Sequence, residues 1–173
     1  MPAIPLALNL RPVCAQDEAL LFELFAADKR AELAAAGMTA AQVEMLIQMQ
    51  YRGRERTYAV LYPEAEDSIL IAEDRALAGR LLLHRGEDRW RIVDIAVLPP
   101  YRSRGLGAAV LKECQAQCAR AGARLELQVA KTNPARLLYE RMGFRAAGED
   151  AMAIEMVWSA GRWAASSGQR TSS

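Results

Sequence analysis

The stretch that most restricts what this chain can become runs from Arg91 to Gly107, RIVDIAVLPPYRSRGLG, and leads into AAVLKECQAQCARAG. An apolar run with β-branched residues reads as a strand. Pro99-Pro100 ends it, because proline donates no ladder hydrogen bond. A basic turn with two glycines follows, and the alanine-rich segment after it reads as a helix. A strand that hands a glycine turn to a helix start presents backbone N–H groups and the positive end of the helix dipole. Gly105 and Gly107 keep Cβ atoms out of the approach. Arg102 and Arg104 add cationic donors suited to phosphate. On their own the glycines would serve equally to shape a turn; the arginines beside them favour a bound phosphate ester.

A Walker loop needs Lys and then Ser or Thr after its second glycine, where Ala108 and Ala109 stand. A dinucleotide fingerprint needs a small residue at Val110. The segment from Arg102 to Gly107 instead reads Arg-x-x-Gly-x-Gly behind the strand IVDIAVLPPY. It resembles the acetyl-CoA pyrophosphate loop of the GNAT superfamily of N-acetyltransferases. A second block, LELQVAKTNPARLLYERMGF from Leu125 to Phe144, is a strand, a turn and a short amphipathic helix. Pro134 suits the first helical turn, and Gly143 suits the left-handed residue that closes it. This block resembles the second GNAT signature, in which an Asn and a Tyr contact the cofactor; here they are Asn133 and Tyr139. The resemblance spans Arg91 to Phe144, while the N-terminal third matches only in its pattern of elements.

Length and charge bound the rest. A chain of 173 residues suits one domain with a substantial core. Its 22 Lys and Arg against 21 Asp and Glu imply no general affinity for nucleic acid. Cys14, Cys114 and Cys118 have no metal-like spacing and the chain has a single His, so no metal site is expected. Buried free thiols in a reducing compartment are the expected reading. The start MPAIPLALNLRP lacks a basic region followed by a long apolar run, which predicts no signal peptide, no membrane span and a cytoplasmic location.

Along the chain, Leu6 to Val13 reads as a first strand. Leu20, Leu21, Leu24 and Phe25 mark a helix from Asp17 to Lys29, interrupted by Gly37. Thr39 and Gln42 form a capping box for a helix through Val43, Leu46, Ile47 and Tyr51. Strands follow at Ser68–Ala72, Leu77–His84 and Trp90–Leu98. The Gly105–Ala121 helix, the Leu125–Val129 strand and a helix from Pro134 to Met142 come next. Phe144–Ala147 and Met152–Trp158 form a closing hairpin. The domain spans residues 1–158, and the Ser/Gly/Ala-rich remainder, 159–173, has no apolar period and reads as a mobile tail. His84, Trp90, Trp158 and Trp163 read as packing, surface or tail residues.

The resemblance implies an α/β fold: a mixed, mostly antiparallel, twisted sheet with helices on both faces. It implies that the sheet splits between the strand ending at Leu98 and the strand Leu125–Val129, with acetyl-CoA in the split. The implied cofactor contacts are Ile95, Ala96 and Val97 on the strand, Arg102, Ser103, Arg104, Gly105, Leu106, Gly107 and Ala108 in the loop, and Asn133 and Tyr139. Direct attack of a primary amine in a ternary complex is the implied reaction, the amine being a small molecule or a protein amino group. The Ile95 N–H would polarise the thioester carbonyl, and Tyr139 would protonate the thiolate. The Glu or His of the best-known members falls here on Arg91 and Val93, and neither is a base. Asp94 is the only carboxylate on the strand, read as a catalytic or acceptor-binding group or as a structural one. Strict alternation sends it to the face opposite Val93 unless a bulge re-aims it. A non-catalytic acyl-CoA-binding sensor or regulatory module is the alternative function. A homodimer is left open.

Overall fold

The computed structural model describes residues 9–161. Residues 6–8 of the expected first strand, Trp163 and the tail from 162 onward lie outside the described residues. Seven strands form among the described residues: β1 (Asn9–Pro12), β2 (Glu66–Ile71), β3 (Leu77–Arg85), β4 (Arg89–Val97), β5 (Arg124–Ala130), β6 (Arg145–Glu149) and β7 (Ala153–Trp158). They make one sheet in the order β1-β2-β3-β4-β5-β7-β6. Every pairing is antiparallel except that of β4 with β5.

The helices are α1 (Glu18–Ala35), α2 (Ala40–Leu61), α3 (Leu106–Arg120) and α4 (Ala135–Arg141). α1 continues past Lys29 because nothing in AELAAA breaks it before Gly37, where φ is +82°. The α2 capping box forms as expected: Gln42 N donates to Thr39 Oγ1 at 3.3 Å, and Thr39 N to Gln42 Oε1 at 3.0 Å. Such a cap contributes about 1 kcal/mol, and it starts a helix of 22 residues. Among the described residues no helix is long and apolar enough to cross a membrane.

The helices cover both faces of the sheet. On one face α3 and α4 pack against Leu81, Leu83, Ile92, Leu125 and Leu127, with Trp90 and Trp158 in the same layer. On the other, Leu21 and Leu24 of α1 and Tyr51 of α2 cover Ile69. Cys114 and Cys118 are buried in the first layer, but Cys14 is exposed, contrary to expectation. Its turn is held by Asp17 rather than by the thiol: the Asp17 carboxylate accepts the Cys14 N–H at 2.8 Å and pairs with the Arg11 fork at 2.7 Å. His84 packs against the Tyr62 ring, centroids 5.6 Å apart.

Two irregularities shape the centre. β4 and β5 pair only where Arg89–Ile92 lies beside Arg124–Leu127. Beyond that, β4 stays with β3 to Val97 and β5 stays with β7 to Ala130, so a wedge opens between them. The second is a bulge. Leu83 faces Ile92 and Leu82 faces Asp94, leaving Val93 as the extra residue. The bulge resets the alternation, so Ile92 and Ile95 both lie in the α3/α4 layer while Ala96 joins the α1/α2 layer. Asp94 is thereby re-aimed to the α1/α2 side.

Gly79 lets β3 seat against the end of β4. A Cβ there would stand 2.3 Å from the Ala96 carbonyl oxygen and 2.8 Å from Leu70 Cδ1. Gly79→Ala should therefore destabilise the protein by about 1–3 kcal/mol, the range for overpacking. Urea unfolding tests this, and an unchanged midpoint would show that the two strands separate at no cost.

Candidate active site

A turn at Pro99–Tyr101 follows β4, then Ser103 at φ +59° and Gly105 at φ +82°, and α3 begins at Leu106. The left-handed conformation at Gly105 strains any residue with a Cβ. Arg102 N donates to Pro99 O at 3.2 Å, and Ala109 N to Gly105 O at 2.9 Å. Among the described residues, the backbone N–H groups between them, from Ser103 to Ala108, donate to no protein group. A row of free donors at a helix start is an anion seat. The arginines are less free than their sequence implies. Arg102 forks onto Asp28 of α1 at 2.9 Å, and its Nε donates to Val97 O at 2.8 Å. It ties the loop to β4 and α1. The Arg104 guanidinium lies 5.4 Å from the Tyr101 ring centroid.

The wedge lies beside this loop. Leu98 N donates to Ala78 O on β3 at 2.8 Å. Alternation then turns the N–H groups of Ile95 and Val97 away from β3, into the space that β5 has left. α4 supplies the other wall. Ala135, Leu138, Tyr139 and Met142 share its inner face, as their spacing predicts. Tyr139 is buried edge-on to Phe144, centroids 6.0 Å apart. Burial pushes its phenol up to about 12, and the charge of Asp94 adds to this, so the hydroxyl stays protonated at neutral pH. Asn133 lies in the turn before α4, where its Oδ1 accepts the Ala135 N–H at 2.9 Å. It caps the helix at the rim of the wedge.

The α1/α2 side holds a charged cluster that sequence reading did not assemble. Arg80, 3% exposed, makes four hydrogen bonds to Glu55 of α2 and Asp67 of β2, all between 2.8 and 2.9 Å. Burial alone would lower the Arg80 pKa, but the two carboxylates overcome it and the net direction is upward. Burial likewise works against Glu55, yet Arg80 holds its carboxyl below the usual range. Asp94 Oδ2 lies 3.5 Å from nitrogens of both Arg54 and Arg80, within ion-pair reach. It is hydrogen-bonded to neither. Burial therefore raises the Asp94 pKa, with Arg54 and Arg80 pulling the other way and Glu55 and Asp67 reinforcing the rise. Tyr58 of α2 is pushed up to about 12 by burial and by the same Asp94 charge.

Two signals in the sequence pointed to this cluster. In LAGRLLLHR, Arg80 stands amid small and apolar residues, a setting that calls for carboxylate partners if it is buried, and Tyr51, Glu55 and Tyr58 recur at helical spacing on one face of α2. The strand, loop and phenol singled out from sequence converge on the wedge. Asp94 is turned instead toward Arg54 and Arg80 on the α1/α2 side.

A family model described as acetyltransferase (GNAT) matches residues 31–144. The chain belongs to this GNAT family of acetyltransferases. Solved structures share the fold. The PaiA N-acetyltransferase of Thermoplasma acidophilum, determined in complex with coenzyme A, is 18% identical, with a TM-score of 0.64 over 87% of this chain and 98% of that one. An acetyltransferase from Thermus thermophilus is 23% identical, with a TM-score of 0.63 over 89% and 97%. A GCN5-related N-acetyltransferase from Rhodopseudomonas palustris is 20% identical, with a TM-score of 0.62 over 92% and 99%. No curated protein matches the sequence significantly.

In this GNAT member the Asp94 carboxyl should titrate above the ordinary carboxylate range of about 4. Arg54→Gln, which removes one of its two cations, should move it higher still. Carbon-13 shifts of the Asp carboxyl groups read both effects. Titration at the ordinary value would mean that water reaches Oδ2 freely.

Proposed function

We propose that this protein is an acetyl-CoA-dependent N-acetyltransferase that acetylates a primary amine by direct attack in a ternary complex. The observation that carries this reading is the row of free N–H groups from Ser103 to Ala108, placed at the end of a strand whose outward main chain lines an open wedge. The donor's pyrophosphate would rest on those N–H groups, with Arg104 beside it and Arg102 holding the loop in place. Asn133 would meet the donor at the rim. The pantetheine arm would continue along β4 in place of β5, paired with Val97 and passing Ala96. The coenzyme A held by the Thermoplasma neighbour supports this choice of donor.

The Ile95 N–H would face the thioester carbonyl and stabilise the oxyanion as the amine's lone pair forms the C–N bond. Asp94, as carboxylate, would take the proton that the ammonium must lose. As the tetrahedral carbon collapses, the C–S bond breaks and its electron pair stays on sulfur. The Tyr139 hydroxyl donates its proton to that thiolate. The acetylated nitrogen gives up its surplus proton to solvent, and the phenol, raised to about 12, recovers one from solvent in turn. The catalytic domain would comprise residues 1–158 and act in the cytoplasm.

Two substitutions test the reading. Gly107→Glu puts a carboxylate at the anion seat, where its Cβ meets only Leu138 Cδ2, at 3.4 Å. Calorimetry should find acetyl-CoA binding abolished; undiminished affinity would remove the phosphate site from this loop. Tyr139→Phe keeps the packing and deletes the acid. With a working amine, kcat should fall on the order of a hundredfold while acetyl-CoA affinity stays the same. Full turnover under chemistry-limited conditions would make the phenol a packing residue. If no amine is acetylated by a protein that binds acetyl-CoA, the alternative of a non-catalytic acyl-CoA sensor takes over.

A further inference from the structure

Arg54 and Arg80 both face Asp94, yet they are held in different ways. Arg80 is committed, with its guanidinium forked onto two carboxylates. Among the described residues Arg54 makes one side-chain hydrogen bond, to its neighbour Glu55 at 3.1 Å, and its Nε is buried without a partner. Aromatic faces hold it instead. Its guanidinium carbon lies 4.5 Å from the ring centroid of Phe25, 5.4 Å from that of Tyr58 and 5.9 Å from that of Tyr51. All three are within cation–π range. Aromatic faces attract any cation and specify no donor pattern, so this is a seat for positive charge rather than for an arginine in particular.

Charge counting favours a second cation there. Glu55, Asp67 and Asp94 supply three carboxylates, against the guanidinium groups of Arg54 and Arg80. Arg54 can also leave. Its side chain is 22% exposed, whereas that of Arg80 is 3% exposed. A long side chain at that edge can swing into water by rotamer changes alone.

We propose that Phe25, Tyr51 and Tyr58, with Asp94 at their base, form the cation subsite of the acceptor pocket, and that Arg54 fills this seat until an acceptor displaces it. The inference rests on the acetyl-transfer reading of the wedge and names the acceptor's class: an aliphatic ammonium or guanidinium with no carboxylate beside the charge. An anionic group there would meet Glu55, Asp67 and Asp94. Arg54 is thus a specificity-determining residue: it keeps Asp94 between two cations while the pocket is empty, and only a cation can replace it without leaving Asp94 to an Arg80 already committed to Glu55 and Asp67.

The test needs neither acetyl-CoA nor turnover. Arg54→Ala vacates the seat, and calorimetry should show methylguanidinium binding to it at least tenfold more tightly than to the wild type. It should also bind at least tenfold more tightly than methylurea, the neutral isostere. Adding Phe25→Leu should erase most of that preference. Equal affinity for the two probes, or a preference indifferent to Phe25, overturns the proposal. Should Arg54→Ala not fold, the wild type answers through the Arg54 Nε–H resonance. Butylammonium should shift and broaden it, and butanol at equal concentration should not. A resonance that responds to neither, or to both alike, overturns the proposal. Cation binding without acetylation would count against the enzyme reading alone; acetylation with no cation preference in the seat would count against this subsite alone.

Discussion

Everything at the centre of this molecule follows from β4 and β5 ceasing to pair after Ile92. Backbone hydrogen-bonding groups inside a protein need partners. Two adjacent strands that separate leave a set of main-chain groups committed to nothing. β4 can hold such a conformation because its other edge is fully engaged with β3, and β5 because its other edge is engaged with β7. The layer of α3 and α4 then closes one side of the wedge and that of α1 and α2 the other. An open sheet interior is thus stabilised by its flanks, and what fills it must itself carry amide-like donors and acceptors.

The wedge also explains why titratable groups accumulate around it. These groups are taken out of solvent, so Asp94, Tyr139 and Tyr58 are all displaced toward their neutral forms. Burial is the first cause in each case. The Asp94 charge is the next contribution for both phenols, so the phenols on its two sides respond to a single carboxylate. The protonation of a phenol on α4 and that of one on α2 are therefore linked through one carboxylate beside the bulge.

Much of this was legible in the chain. The loop from Arg102 to Gly107 and the turn at Asn133 are local patterns in which neighbours in sequence are neighbours in space, and the elements around them formed within a few residues of expectation. Tyr139 was legible because helical spacing fixes its face. The bulge at Val93 was not, since no glycine or proline marks it and only the register with β3 reveals it. Nor was the charged cluster, whose members come from α2, β2, β3 and β4. Arg80 amid apolar residues signals a need for partners, but only topology shows that they are Glu55 and Asp67. One arginine of the loop misled in the opposite direction. Arg102 looked free because Asp28, its partner, is 74 residues away in sequence.

Arg80 joins a helix and two strands through one side chain, and this bears on how the protein can change over generations. Breaking a buried pair by removing one partner costs about 3–5 kcal/mol, a large share of the roughly 5–15 kcal/mol that keeps a domain folded. Losing Arg80 strands two carboxylates facing each other; losing either carboxylate leaves a buried guanidinium half-satisfied. No single step away from the arrangement is neutral. A substitution on the exposed β6 edge leaves these contacts untouched, whereas one at Glu55, Asp67 or Arg80 calls for a second change to restore the pairing.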